Sequence, residues 1–205
     1  MKKGEFNMSK VEQYVMAYRA NHDKIKALLP EIYESLRPVL RINVEIIDDY
    51  ESMIKIEFNT PVASKGKRGW LNLVTWNSFS EQISLSKREN KTEFIAGKDD
   101  KAFLDIEFIR TEEEGGCPKE DDNEGTFFGE NFSIDTASSA VFKKAEQIYE
   151  RKEYCQCRFE WIIPEYIMPS SVESLTAKEQ TIKEAVRIKP EEILGAYKVE
   201  FERKG

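Results

Sequence analysis

The chain has 205 residues, 40% of them hydrophobic and 34% charged, with a formal net charge of −7. That length can bury a core without disulfides or metals, and that charge excludes the basic footprint a nucleic-acid binder needs. No apolar run reaches the roughly 18 residues of a membrane span, no apolar leader follows Met1-Lys2-Lys3, and a cytoplasmic protein with reduced thiols is expected.

Residues 1–8 read as a tail, and 9–205 as a single domain. Tyr14-Val-Met-Ala-Tyr18 has the aromatic and β-favouring composition of a strand. Asn21 is a helix N-cap with Asp23 in the first turn, and Pro30 stops the helix, which is predicted over 22–29. In Val39–Ile47, Leu40, Ile42, Val44 and Ile46 alternate with Arg41, Asn43 and Glu45, the period of a half-buried strand. Asp48-Asp49-Tyr50-Glu51 turns the chain into a central hairpin, Ser52–Trp76. Its first arm alternates Ile54, Ile56 and Phe58 with Lys55, Glu57 and Asn59 and is expected to end at Pro61. Seven polar residues, Ala63–Gly69, form its tip, and Trp70, Leu71, Leu73, Val74 and Trp76 its second arm. Lys65, Lys67 and Arg68 make that tip basic, as a solvated turn.

Ile83–Lys87, Glu93–Ala96 and Phe103–Ile109 are further strands, with a turn at Gly97-Lys98-Asp99-Asp100. Glu112–Gly125 is acidic and glycine-bearing and reads as a solvated loop. A strand is expected over Thr126–Ile134. Asp135 or Thr136 would then cap a helix carrying Val141, Phe142, Ala145, Ile148 and Tyr149. In Tyr154–Ile163 the residues Cys155, Cys157, Phe159, Trp161 and Ile163 share a face. Thr176–Glu179 is a capping box opening a last helix that Pro190 ends, before a strand over Ile193–Phe201. Runs of antiparallel strands with helices set aside place the fold in the α+β class, as a strongly bent antiparallel sheet or closed barrel with flanking helices.

Two end segments carry a family resemblance. Tyr18-Arg19-Ala-Asn-His-Asp23-Lys-Ile-Lys-Ala-Leu28-Leu29-Pro30, continued by Pro38-Val-Leu-Arg-Ile, resembles the opening of acetoacetate decarboxylase-like proteins. Pro190-Glu-Glu-Ile193-Leu-Gly-Ala-Tyr197 is similar to the family's closing segment, and Trp70–Trp76 fits its central hairpin more loosely. The resemblance implies a cone-shaped β-barrel with a pocket for a small organic acid, no cofactor or metal, and a homo-oligomer. It also implies Schiff-base carboxy-lyase chemistry, in which a lysine of lowered pKa condenses with a β-keto acid.

The family's signature, Gly-Arg-Glu followed by Pro-Lys-Lys, is missing in strict form. By order, Glu81-Gln-Ile-Ser-Leu-Ser86-Lys87-Arg88 is the counterpart. Lys87 stands for the nucleophile, Arg88 for the adjacent cation and Glu81 for an orienting carboxylate. Gly116-Cys117-Pro118-Lys119 matches locally, but Glu120, Asp121 and Asp122 beside it would raise the lysine's pKa. The family's carboxylates fall on Asn43 and near Lys55, with Glu57 on the same strand face, and its arginine falls near Val11. Asn43, Glu57, Arg88 and Trp76 are the substrate-binding candidates. The alternative is a non-catalytic ligand-binding or scaffold barrel that has kept the shape and lost the chemistry. Cys155, Cys157, Trp70 and Trp161 read as core residues, although tryptophans lining a barrel could hold a flat or acyl ligand. His22 reads as a helix-start residue. Cys117 and His22 do not complete a zinc site with the cysteine pair.

Overall fold

The computed structural model describes residues 8–48, 53–79, 81–116, 126–128, 142–144, 151–162 and 183–204. In chain order these form β1 (Met8–Arg19), α1 (His22–Leu28), β2 (Glu34–Ser35), β3 (Val39–Asp48), β4 (Met53–Ser64), β5 (Lys67–Asn77) and β6 (Gln82–Arg88). They continue with β7 (Lys91–Lys98), β8 (Lys101–Gly116), β9 (Thr126–Phe128), β10 (Phe142–Lys144), β11 (Arg151–Trp161) and β12 (Glu192–Lys204). Residues 183–187 are helical and stop short of Pro190. The capping box over 176–179, the turn at 49–51 and most of the expected helix after residue 135 lie outside the described residues.

All the described strands belong to one sheet, ordered β10-β9-β5-β4-β3-β1-β12-β11-β8-β7-β6, with β2 paired to β4. The pairings are antiparallel except β5 with β9. The sheet curls into a half-barrel, and rings from its two arms meet inside the curl. Phe58 and Trp161 lie 5.5 Å apart, Trp76 and Phe103 5.4 Å, and Tyr14 and Phe94 5.4 Å. Leu40, Ile42, Val44, Ile54 and Ile56 join this core. The strongly bent antiparallel sheet read from the sequence is therefore present.

Short helix α1 begins where Asn21 Oδ1 accepts the Lys24 N–H at 3.0 Å, and it buries Ile25 and Leu28. His22 Nε2 sits 3.0 Å from Ser35 Oγ and ties the helix start to β2.

Several strands differ from their sequence expectation. β1 begins at Met8 and so takes in the start of the expected tail. Pro61 does not end β4. The β3–β4 ladder stops at Arg41–Asn59 and the β2–β4 ladder begins at Val62, so the proline falls where no partner strand asks for its missing N–H. The hairpin tip is two residues, Lys65 at φ 51° and Gly66 at φ 75°, and the expected seven-residue connection is mostly strand. Residues 112–116 are strand and not loop. A bulge near Glu112 (φ 65°) lets β8 continue beside Arg151–Glu153, held by backbone ladder bonds that side-chain periodicity does not report. Residues 142–144 pair with β9 in place of the expected helix.

Candidate functional site

Alternation along β3 and β4 decides which side chains share a face. The even-numbered residues of β3 enter the core, and Arg41, Asn43 and Glu45 take the reverse face. Register then assembles three rows. Asn43 lies between Val15 and Glu57, Glu45 between Gln13 and Lys55, and Arg41 between Ala17 and Asn59. β5 extends them with Thr75 opposite Glu57 and, past a bulge, Asn72 opposite Asn59 and Trp70 opposite Pro61.

This reverse face is polar and yet buried. Arg41 and Asn43 are 3% exposed, Glu45 2%, Glu57 7%, Asn59 0% and Asn72 3%. Much of it is internally bonded. Gln13 Nε2 donates to Glu45 Oε1 at 2.9 Å, and Arg41 Nε donates to Asn59 Oδ1 at 2.8 Å. Asn72 Nδ2 donates to Thr75 Oγ1 at 2.6 Å, and Lys55 Nζ meets Glu57 Oε1 at 2.5 Å. The Arg41 guanidinium stacks on Trp70, 3.5 Å from the ring centroid. Four atoms on the face have no hydrogen-bond partner among the described residues: Asn43 Oδ1, Asn59 Nδ2, Asn72 Oδ1 and Trp70 Nε1. An unpaired buried polar group costs about 1–3 kcal/mol, and these four lie together on one face.

Of the residues singled out in the sequence, Asn43 and Glu57 are brought together as direct cross-strand neighbours. Trp76 faces the other way, into the core, 5.9 Å from Trp161. Lys87 approaches β1 from the core side of the sheet, opposite to the polar face. Its Nζ is 2.5 Å from Glu12 Oε2, with the lysine side chain 46% exposed. Burial raises the Glu12 pKa, but hydrogen bonds from Lys87 and Tyr14 and the charge of Lys198 outweigh burial and hold the carboxyl below its usual range. Glu81 Oε2 accepts the Asn77 backbone N–H at 2.9 Å. It lies beyond the N-terminal end of β6, roughly 20 Å along the chain from Lys87. Arg88 is exposed, opposite Lys91. An imine-forming lysine needs a desolvated place beside the substrate's other contacts, and Lys87 has neither burial nor proximity to Asn43 and Glu57. Lys119 lies outside the described residues.

Cys155 and Cys157 pack half-buried against the core. Burial pushes the Cys155 thiol up to about 11, and the Cys157 thiol further up still. The residues missed in the sequence are Gln13, Arg41, Glu45, Asn59, Trp70 and Asn72. Their one signal was polar alternation on two successive strands, which reads the same for a face open to solvent.

No protein-family model matches the chain, and no curated protein matches its sequence. Solved structures do match. An acetoacetate decarboxylase from Legionella pneumophila aligns with a TM-score of 0.68 at 12% identity, covering 97% of this chain and 85% of that one. This chain has the acetoacetate decarboxylase fold. An acetoacetate decarboxylase-like enzyme from Sphingomonas wittichii RW1 aligns with a TM-score of 0.58 at 9% identity, over 97% and 90% of the two chains. The enduracididine biosynthesis enzyme MppR, in a structure complexed with pyruvate, aligns with a TM-score of 0.59 at 7% identity, over 98% and 88%.

Of the positions matched by sequence to the family's charged groups, those on β3 and β4 share the buried polar face, and Glu81, Lys87 and Arg88 do not. Asn43, Lys55 and Glu57 lie in the rows of that face. Val11 packs apart from them, in an apolar cluster with Val199 and Phe201.

Proposed function

We propose that this protein binds a small organic acid or related metabolite on the reverse face of β3, β4 and β5. The observation that carries the reading is the set of buried polar side chains with Asn43 Oδ1, Asn59 Nδ2, Asn72 Oδ1 and Trp70 Nε1 left unpartnered. Arg41 and Lys55 add positive charge for a carboxylate, while Glu45 and Glu57 keep the face near neutrality. The pyruvate complex of MppR supports the class of ligand by likeness of fold alone. The test is calorimetric titration of the full chain with three- to six-carbon carboxylic acids. A binder is expected, and Asn43→Leu or Arg41→Gln should each weaken it at least about tenfold, or about 1.4 kcal/mol, with the circular-dichroism spectrum unchanged. Absence of binding by any acid, or binding indifferent to both substitutions, would sink the reading.

A second reading is a Schiff-base carboxy-lyase using Lys119. β8 runs to Gly116, the residue before the Cys117-Pro118-Lys119 segment, which itself lies outside the described residues. The lysine amine would add to a β-keto acid's carbonyl and lose water, giving an iminium. The bond to the carboxylate would break, sending its electron pair toward nitrogen as carbon dioxide leaves. The resulting enamine would take a proton on carbon before water releases the ketone. Borohydride with acetoacetate and pyruvate, read by peptide mass spectrometry, tests it. A reduced adduct on Lys119 supports this chemistry, an adduct on Lys87 relocates it to β6, and no adduct leaves binding without covalent chemistry.

A further inference from the structure

We infer that the acid this face selects is a hydroxylated one, in preference to the keto acid of the same carbon skeleton. The inference rests on the reading of the face as a small-acid site and names its ligand class. Each unpartnered atom has a defined hydrogen-bonding sense. Asn59 Oδ1 is occupied by the Arg41 Nε–H at 2.8 Å, so the amide presents its N–H to the face. Asn72 Nδ2 is spent on Thr75 Oγ1 at 2.6 Å, so that amide presents its carbonyl. The Trp70 indole nitrogen can only donate, and Asn43 Oδ1 can only accept. The face therefore offers two donors, Trp70 and Asn59, and two acceptors, Asn43 and Asn72.

Trp70, Asn72 and Asn59 lie within the span of one small molecule, and Asn43 stands further off, one strand beyond. Asn72 is directly opposite Asn59, Trp70 lies two residues back on the same face of β5, and Asn43 is diagonal to Asn59. Cross-strand neighbours stand about 5 Å apart and diagonal ones about 7–8 Å. A carboxylate fits the donor side, next to the Arg41–Trp70 stack. An ionised keto acid has only acceptors, so its second oxygen would face the carbonyl of Asn43 or Asn72 with no hydrogen between them. A hydroxyl supplies that hydrogen. Sites built to pair a substrate hydroxyl reject the analogue that lacks it far more strongly than apolar pockets reject a missing methylene. A hydroxyl-bearing carbon also cannot form an imine, so this inference goes with binding and not with the lyase.

The experiment is calorimetric titration of the full wild-type chain with matched pairs: lactate and pyruvate, malate and oxaloacetate, 3-hydroxybutyrate and acetoacetate. In whichever pair binds, the hydroxy acid is expected to bind at least tenfold more tightly. Asn72→Leu and, separately, Asn43→Leu should be compared, and one of them should bring that ratio close to one. A keto acid that binds as tightly as its hydroxy partner, or a ratio unmoved in both variants, would overturn the hydroxyl preference and leave the small-acid reading standing. No binding by any of the six would remove both.

Discussion

Glu12 shows how a single carboxylate can organise a seam. It accepts the Tyr14 hydroxyl at 2.5 Å and the Lys87 ammonium at 2.5 Å, and Lys198 lies 3.3 Å away. Tyr14 in turn meets Thr92 Oγ1 at 3.0 Å. Burial, then the hydrogen bond to Glu12, push the Tyr14 hydroxyl well above its ordinary range, so it stays a donor. Lys87 is thus a side-chain tie between β6 and β1. Because Glu12's folded pKa is depressed, the tie stabilises fully above the unfolded value of about 4.3 and is lost as pH falls through the lower folded value. Glu12→Gln should flatten the acid limb of stability below the ordinary carboxylate range, with the loss confined to about 1 kcal/mol because Lys87 is half exposed. Urea midpoints through and below that range check it. An acid limb as steep as wild type would show that Glu12 is not one of the groups responsible.

At the scale of elements, two glycines separate backbone conformation from crowding. Gly66 turns the β4–β5 hairpin at φ 75°, and a Cβ there would meet nothing within 4 Å. Gly66→Ala should therefore cost only the left-handed conformation, about 1 kcal/mol. Gly97 sits at the register shift between β7 and β8, where a Cβ would come within 2.9 Å of the Lys101 carbonyl oxygen. That atom is backbone and cannot swing aside, so Gly97→Ala should cost more, about 2 kcal/mol or above. Thermal melts of the two variants rank them, and a larger loss at Gly66 would refute the assignment. Strand identity was legible wherever residues alternate, as in β3, β4 and β11. It was misread at 112–116 and 142–144. Those residues are strand because a partner pairs with them, and pairing partners are not written in a local window.

For the whole molecule, the curl is closed by side chains. β6 and β7 at one end of the sheet return over β1, with Phe94 fully buried between Tyr14 and Phe108 at ring separations of 5.4 and 6.3 Å. Phe94→Ala opens that contact and should cost about 3–5 kcal/mol, read as a drop in the denaturation midpoint. A cost under 1 kcal/mol would mean that the arm of the sheet collapses to fill the gap. β12 sits between β1 and β11, so the last described strand completes the middle of the sheet. Contacts this distant in sequence predict slow folding.

The sequence by itself determined the class of fold, the short helix that follows Asn21, the strand faces and the likeness to acetoacetate decarboxylases at both ends. Those depend on period and on short segments, which a chain carries locally. The tertiary structure alone decided that the reverse face of β3 and β4 is buried and that Arg41, Asn59, Trp70 and Asn72 belong with Asn43 and Glu57. It also decided that Lys87 stands on the opposite side, held by Glu12. The reason is that alternation places a side chain on one of two faces and cannot say which face is covered. Only the register of strands distant in sequence, and the direction in which the sheet curls, settle that.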